Sequence, residues 1–326
     1  MTATLAFYCV ADERYFLGAV GMINSLRLQG HHDPVYLLDC GLRARQRELL
    51  AAHVEIVDPP RTAASPHLLK TVAPLAHPAE TMVLLDTDIV VTRPLAELIE
   101  PAAEGAIVAI RDNVQRWFAQ WGPLLELGET RPGPYVSSGL VALDGELGAE
   151  TLRLMDASQD RVDFARTYWR GNDPDYPFLY ADQDVLNGVL ATSVDPGRLV
   201  VLDERLSAVT PFAGLEPIDE SSLRCAYPDG AEPLVAHFIL PSKPWQRPMY
   251  HGVYSELLKR ALVGPGLAIE LPTELVPLRF RDGAAAGFER GRIHARDRLG
   301  WRVREILPQA LLDRLDDSRR ERAAAR

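Results

Sequence analysis

The residues that decide the fold are 81–91, which read Thr81-Met82-Val83-Leu84-Leu85-Asp86-Thr87-Asp88-Ile89-Val90-Val91. Such an apolar run predicts a buried strand of an α/β sheet. Side chains two positions apart on a strand point to the same side, so Asp86 and Asp88 are expected to converge at or just past its end. Two neighbouring carboxylates repel each other, and a divalent cation relieves that repulsion. The pair fits a metal site, and equally a turn with both carboxylates in solvent.

Short strands and helices alternate around this stretch, which predicts an α/β domain with a mostly parallel sheet. The predicted strands are Thr4–Val10, Val35–Leu38, Val54–Val57, Met82–Leu85, Val136–Leu143 and Leu234–Phe238. The predicted helices are Leu17–Leu28, Arg45–Ala52, Ser65–Leu75 with Ser65 as N-cap, and Asp182–Leu190. Sheets of this kind bind ligands at the carboxyl ends of their strands, where Asp12 and Asp86 both lie.

Composition excludes several classes of protein. The chain has 326 residues, 47% of them hydrophobic, and a net charge of −10, so a general nucleic-acid-binding role is excluded. The three cysteines are widely spaced and odd in number, which favours reduced thiols and a cytoplasmic location. No apolar run approaches transmembrane length.

Four further segments carry chemistry-bearing residues in a fixed order. They are CVADERY at 9–15, YVSSGLVAL at 135–143, ADQDVLN at 181–187 and VAHFILPSKPW at 235–245. Together with Asp86-Thr87-Asp88, this set resembles glycosyltransferase family 8, which includes glycogenin and bacterial lipopolysaccharide glucosyl- and galactosyltransferases. The resemblance covers residues 4–250. It implies the GT-A fold, a single Rossmann-like, mixed and mostly parallel sheet flanked by helices.

The same resemblance implies an enzyme that transfers a hexose from a UDP-sugar to a hydroxyl acceptor with retention of anomeric configuration. It assigns Asp86, Asp88 and His237 to Mn²⁺, with Mg²⁺ as the alternative ion. Mn²⁺ accepts imidazole and carboxylate ligands together, so the assignment is chemically consistent. A metal-dependent nucleotidyltransferase and a non-catalytic nucleotide-sugar-binding protein are the alternatives.

Five residues are assigned to the donor by the resemblance. Asp12 accepts a hydrogen bond from the uracil edge, or caps the following helix, and Tyr15 stacks on the uracil ring. Lys243 contacts the diphosphate. Lys70 points at the donor or, alternatively, is a solvated lysine. Ser137 stands where the family usually has Asn, which shortens the reach towards the donor sugar.

Asp182 and Gln183 are the expected catalytic pair. Asp182 binds hydroxyls of the donor sugar, and Gln183 lies on the face of the anomeric carbon opposite the leaving group. An amide is a poor nucleophile, so the residues favour a front-face reaction over double displacement, which stays open. A second departure from the family is Leu240, which stands where glycine is common.

Acceptor and tail contribute two further expectations. Trp117, Phe118 and Trp121 are candidate acceptor contacts, with core packing as the alternative.

Residues 1–260 are predicted to form the GT-A domain, and 261–326 a Pro/Gly connector and an Arg-rich helical tail. From residue 279 onwards the tail has 13 arginines against 8 acids. An apolar helix face is predicted at Leu299, Val303, Ile306 and Leu307, flanked by Trp301 and ended by Pro308. Peripheral contact with an anionic membrane and a solvated helix docked on the domain are both open.

Overall fold

A computed structural model describes residues 3–60, 65–219, 222–250 and 252–306 of the chain. The strands in these ranges are β1 (Ala3–Ala11), β2 (Val35–Asp39), β3 (Glu55–Val57), β4 (Ala79–Leu85), β5 (Ile89–Val91), β6 (Ile107–Arg111), β7 (Val136–Asp144), β8 (Leu199–Leu202), β9 (Ser207–Val209), β10 (Glu216–Pro217), β11 (Cys225–Ala226) and β12 (Val235–His237). The α-helices are α1 (Phe16–Leu28), α2 (Ala44–Ala51), α3 (Val72–Ala76), α4 (Ala96–Ala103), α5 (Trp121–Leu125), α6 (Gly145–Gln159), α7 (Asp182–Ser193), α8 (Gly252–Val263) and α9 (Ala284–Ile306).

The central sheet has seven strands in the order β3-β2-β1-β4-β7-β6-β8. Strand β7 runs antiparallel to both of its neighbours, β4 and β6. The remaining pairs are parallel, as expected for strands that are joined by helices. The predicted mixed, mostly parallel sheet is therefore confirmed.

Side chains of the central strands alternate between two apolar cores, one on each face of the sheet. On β1, Phe7 and Cys9 face the core that also contains α1, α4 and α8. Ala6 and Tyr8 face the opposite core, which is built with α5, α6 and α7. This period of two explains why both faces of β1 are apolar in sequence, since a sheet covered on both sides exposes neither.

The apolar run at 81–91 is divided between two sheets. Strand β4 ends at Leu85, and Ile89–Val91 forms β5 of a separate three-stranded sheet with the order β5-β12-β9. Asp86, Thr87 and Asp88 form the connection between the two strands. The predicted strand Met82–Leu85 ends at the same residue as β4, and the rest of the apolar run forms a different strand, because β5 pairs with β12 instead of extending the pairing of β4.

Three local predictions differ from the structure. Ser65 makes no capping hydrogen bond, and the predicted helix after it is divided into a 3-10 turn at Pro66–Leu69 and α3. Strands β6 and β8 were not predicted.

Cys9, Cys40 and Cys225 are free thiols.

The segment after α8 contributes to the main core. Ile269, Val276, Phe280 and Ile293 are buried among residues of α1 and α8. The division of the chain at 260 stays a prediction. No helix in the described ranges is long and apolar enough to cross a bilayer. The side chains of the predicted apolar tail face, from Leu299 onwards, lie outside the described residues, as does Pro308.

Candidate active site

A cleft of about 390 Å³ opens at the edge of the central sheet where β4 and β6 end and β7 begins. The polar residues lining it include Lys70, Asp86, Asp88, Asp112, Ser137, Ser138, Asp182, Gln183 and His237. Eight of these nine residues are among the predicted site residues or adjoin them in sequence. Ligand binding at this edge is the general behaviour of α/β sheets.

Asp86, Asp88 and His237 bring three candidate metal-ligand atoms to within 4.8 Å of one another. Pairing of β12 with β5 places His237 opposite Ile89, next to the connection that carries both aspartates. The His237 Nε2 atom lies 3.1 Å from Asp88 Oδ1 and 3.8 Å from Asp86 Oδ2. The backbone fixes this arrangement, because the Asp86 N–H donates to the Gly139 carbonyl and the Phe238 N–H to the Asp88 carbonyl.

Each aspartate gives its other carboxylate oxygen to a lysine. Lys70 Nζ lies 2.6 Å from Asp86 Oδ1 and 2.9 Å from Asp182 Oδ2. Lys243 Nζ lies 2.5 Å from Asp88 Oδ2 and donates to the Phe238 carbonyl at 2.7 Å. The two lysines thus orient the aspartates so that Asp86 Oδ2 and Asp88 Oδ1 face His237.

Three observations indicate that Asp86, Asp88 and His237 are suited to binding a divalent cation. Asp88 Oδ1 is buried and has no hydrogen-bond partner in the part of the chain that the structure describes. A Cβ on Gly139 would lie 2.5 Å from His237 Cε1 and 3.3 Å from Asp86 Oδ2, so glycine at 139 leaves room for the three side chains. The donor set of one imidazole and two carboxylates suits Mn²⁺.

Two groups of this cluster, Asp88 and Lys70, have pKa values shifted in favour of their charged forms. Burial disfavours the charge of Asp88, but Lys243 and His237 outweigh it and hold the pKa of this carboxyl below its usual range. Burial likewise disfavours the charge of Lys70, but Asp182 and Asp86 raise its pKa. The alternative interpretation of Lys70 as a solvated lysine is wrong, because its side chain is only 11% exposed.

Asp182 and Gln183 begin α7 and are held by a network of hydrogen bonds. Ser138 Oγ donates to Asp182 Oδ2 at 2.8 Å, and the Ser138 N–H donates to Gln183 Oε1 at 3.2 Å. Gln183 Nε2 donates to Asp112 Oδ2 at 3.1 Å. Ala181, directly before this pair, has a positive φ of 47°, a strained backbone conformation for a residue with a Cβ.

Asp112 was missed by the sequence analysis. It follows the short strand β6, and burial raises the pKa of its carboxyl. No motif marks it, and the only signal in the sequence is a carboxylate at the end of an apolar run.

Asp184 faces away from the cleft, where it accepts hydrogen bonds from the Tyr135 hydroxyl and the Tyr180 N–H. Burial raises the pKa of Asp184 to about 6.

Asp12, Tyr15 and Lys243 do not line the cleft. Asp12 Oδ1 accepts hydrogen bonds from the backbone N–H groups of Arg14 and Tyr15, which forms a turn directly before α1. The Tyr15 ring contacts Trp245 edge-on, with 6.2 Å between centroids, and Lys243 Nζ lies 5.7 Å from its centre. Trp245 Nε1 donates to the Arg14 carbonyl, which ties the loop after β12 to the turn before α1.

Ser137 lines the cleft, and its Oγ accepts a hydrogen bond from the Gly139 N–H at 3.2 Å. The aromatic residues suggested for the acceptor lie elsewhere. Trp121 is buried in the core, with its Nε1 donating to the Pro177 carbonyl, and Trp117 is 45% exposed outside the cleft. Tyr168, Trp169 and Tyr180 are the aromatic side chains of the loop before α7 that line the cleft instead.

Comparisons with known proteins identify the fold. No protein-family model matches the sequence, and no curated protein matches it. Similar solved structures include the galactosyltransferase LgtC in complex with donor and acceptor sugar analogues. It is 17% identical, with 82% of this chain and 98% of that chain covered and a TM-score of 0.51. An active-site variant of LgtC, with Glu in place of Gln, gives the same values.

The glycosyltransferase GlyE of Streptococcus pneumoniae TIGR4 is also 17% identical. It is similar over 81% of this chain and 61% of its own, with a TM-score of 0.50. Both LgtC and GlyE are glycosyltransferases, and the seven-stranded mixed sheet corresponds to theirs. The fold of this chain is therefore the GT-A fold.

Proposed function

We propose that this protein is a retaining, metal-dependent glycosyltransferase that moves a hexose from a UDP-sugar to a hydroxyl acceptor. The observation that carries the proposal is the cluster of Asp86, Asp88 and His237, which lies in a cleft at the strand ends of a GT-A fold. Mn²⁺ is the proposed ion, with Mg²⁺ as the alternative. Asp86 Oδ2, Asp88 Oδ1 and His237 Nε2 would hold it.

The proposed reaction exchanges one glycosidic bond for another. The bond between the anomeric carbon and the diphosphate oxygen breaks, and a bond from that carbon to the acceptor oxygen forms. The acceptor proton passes to the departing UDP. Positive charge near the diphosphate lowers the barrier for its departure, and a bound divalent cation supplies such charge.

Two lysines are candidates to contact the diphosphate. Lys70 lines the cleft beside Asp86, so its ammonium is accessible to a ligand there. Lys243 is 1% exposed and paired with Asp88, so it would reach the diphosphate only by leaving that carboxylate. We therefore propose that Lys70 is the first residue to contact the diphosphate. A contact between Lys243 and the diphosphate stays a prediction, and it requires Lys243 to leave Asp88.

Asp182 and Gln183 are the proposed catalytic residues. The Asp182 carboxylate would bind hydroxyls of the donor sugar. The Gln183 carbonyl oxygen would stabilise positive charge that develops at the anomeric carbon. Since both ends of the Gln183 amide are held, by Ser138 and Asp112, its orientation is set before the substrate binds. An amide at this position favours the front-face route, which retains configuration.

Recognition of the uracil base is assigned to Asp12 and Tyr15. Asp12 Oδ1 is engaged by backbone N–H groups, so its Oδ2 atom is the oxygen proposed for the uracil edge. Ser137, with its short hydroxyl side chain in the cleft, is proposed to contact the donor directly or through water.

A panel of donors tests this proposal. The protein is incubated with Mn²⁺ and UDP-, GDP- or ADP-hexoses, and the release of nucleoside diphosphate is followed. Release from UDP-hexoses alone supports the proposal. Release of pyrophosphate from UTP and a hexose 1-phosphate would indicate a nucleotidyltransferase instead. Binding of UDP-hexose without turnover would indicate a non-catalytic binding protein.

Membrane contact by the Arg-rich tail is a separate proposal. On α9 the Phe288 side chain is 77% exposed, and Arg292 lies one turn further along the same side of the helix. Truncation is unsuited to testing this, because Phe280 and Ile293 are buried in the main core. Instead, Phe288→Ser in the full chain should reduce co-sedimentation with anionic vesicles at low salt. If the wild-type protein stays in the supernatant, the proposal fails.

A further inference from the structure

The cleft is lined by side chains of two chemical kinds. One kind is the cluster of aspartates, lysine and histidine described above. The other kind is apolar and comes from β9 and from the loops after β6, β9 and β12; we call these residues the apolar wall, namely Val114, Val209, Phe212, Ile239 and Leu240. Phosphates and the hydroxyls of ribose and hexose are polar and gain nothing from apolar side chains, and the uracil ring is assigned to Asp12 and Tyr15, which do not line the cleft. The natural occupant of the apolar wall is therefore a part of the acceptor.

Several of these apolar side chains are exposed to solvent in the absence of ligand. Val114 is 46% exposed, Ile239 38% and Leu240 37%, and Tyr168 on the same cleft is 36% exposed. Large apolar side chains that converge on one concave surface mark a binding site, since covering them removes apolar area from water.

The apolar wall lies close to the reacting groups. Ile239 and Leu240 are two and three residues after His237, and Val114 is two residues after Asp112, which holds Gln183. An apolar group bound there would therefore lie near the acceptor hydroxyl.

The charges that line the cleft do not favour an anionic acceptor. Asp112 and Glu204 line the cleft together with Arg111 and Arg205. Arg205 is already paired with Asp229 at 2.7 Å. That leaves Arg111 against Asp112 and Glu204, so no excess of positive charge remains to attract a carboxylate or a phosphate.

We propose that the acceptor is a hydroxyl compound without an anionic group that carries an alkyl or aryl group beside the reacting hydroxyl, and that Ile239 and Leu240 select for that group. This inference rests on the proposed function and assigns the acceptor class for the same site. Transfer forms the bond between the hexose and the acceptor oxygen, releases UDP and gives the acceptor proton to UDP.

A homologous series of n-alkyl glucosides, from methyl to octyl, tests the proposal. UDP release from the preferred UDP-hexose with Mn²⁺ is measured above the rate of donor hydrolysis. We expect kcat/KM to rise by up to about fourfold for each methylene, until the wall is covered. A series with no dependence on chain length would overturn the proposal while leaving the glycosyltransferase function intact.

Two matched variants locate the effect. Leu240→Ser should reduce the octyl-to-methyl ratio of kcat/KM by about tenfold, because it removes most of one apolar side chain. Leu124→Ser is the control, since Leu124 is 46% exposed but lies outside the cleft, and the ratio should not change. Equal ratios in the two variants would contradict the assignment.

A binding titration separates this proposal from the proposed function. Octyl and methyl glucoside are titrated into the wild-type protein and both variants without donor or metal. If octyl glucoside binds more tightly than methyl glucoside, and only Leu240→Ser loses this difference, the result supports the proposed role of the apolar wall even if no UDP-hexose is turned over. Equal binding of the two glucosides to the wild-type protein would refute it.

Discussion

The ion pair between Lys243 and Asp88 makes a sharp prediction about stability. The Lys243 side chain is 1% exposed, the Asp88 side chain is 10% exposed, and the charged atoms lie 2.5 Å apart. Lys243→Met leaves a buried carboxylate without its cation. Loss of one partner of a buried ion pair costs about 3–5 kcal/mol of unfolding free energy.

The expected change in melting temperature follows from chain length. With an unfolding entropy of about 2.1 cal/mol/K for each of 326 residues, the total is about 0.7 kcal/mol/K. Lys243→Met should therefore lower Tm by about 4–7 °C in calorimetry with EDTA present. Lys259→Met is the control, because its partner Asp282 is 76% exposed, and Tm should fall by no more than about 1 °C.

A double variant identifies the cause. Adding Asp88→Asn to Lys243→Met removes the unpaired charge and should recover at least about half of the lost stability. The reasoning is refuted if Lys243→Met melts within about 1 °C of the wild-type protein. It is equally refuted if the second substitution lowers Tm further, because the two charges would then not be energetically coupled.

Three other predictions concern the metal, the base and the product. Gly139→Ala should weaken Mn²⁺ binding by about tenfold or more, because its Cβ would lie 2.5 Å from His237 Cε1. Gly133→Ala is the control and should leave Mn²⁺ binding unchanged, because no atom lies within 4 Å of an added Cβ there. Equal Mn²⁺ affinities of the two variants, measured by calorimetry, would contradict the site. In the presence of Mn²⁺, UDP should bind about tenfold more tightly than ADP or GDP, since specific contacts to the base add about 1–3 kcal/mol of binding free energy. Equal affinities would mean that Asp12 and Tyr15 do not recognise the uracil. An α-linked donor should give an α-linked product, and an anomeric proton coupling typical of a β-linkage would exclude the front-face route at Gln183.

Periodicity and order along the chain predicted the central sheet and its functional edge. Strands β1 and β4 were identifiable because both of their faces are apolar, which is typical of strands covered on both sides. Asp86 could be placed at the strand end for the same reason. His237 is about 150 residues from Asp88, and only the resemblance to family 8 connected the two in advance.

Non-local pairing explains what the sequence did not reveal. The run at 81–91 is divided because β5 pairs with β12, and no local pattern encodes a partner so distant in sequence. Asp112 was missed because it belongs to no motif and its partner Gln183 is about 70 residues away in sequence. The pairing of Lys243 with Asp88 was equally hidden, because a motif identifies a cation without identifying its counter-ion.

Metal-dependent glycosyl transfer at Asp86, Asp88 and His237 is tested most directly by chelation. UDP release from a UDP-hexose is measured with Mn²⁺, after excess EDTA, and after Mn²⁺ is restored. We expect release to stop with EDTA and to recover with Mn²⁺, and Asp86→Ala or Asp88→Ala to lower the rate by about a hundredfold or more. Release at the full rate in excess EDTA would contradict the proposed function.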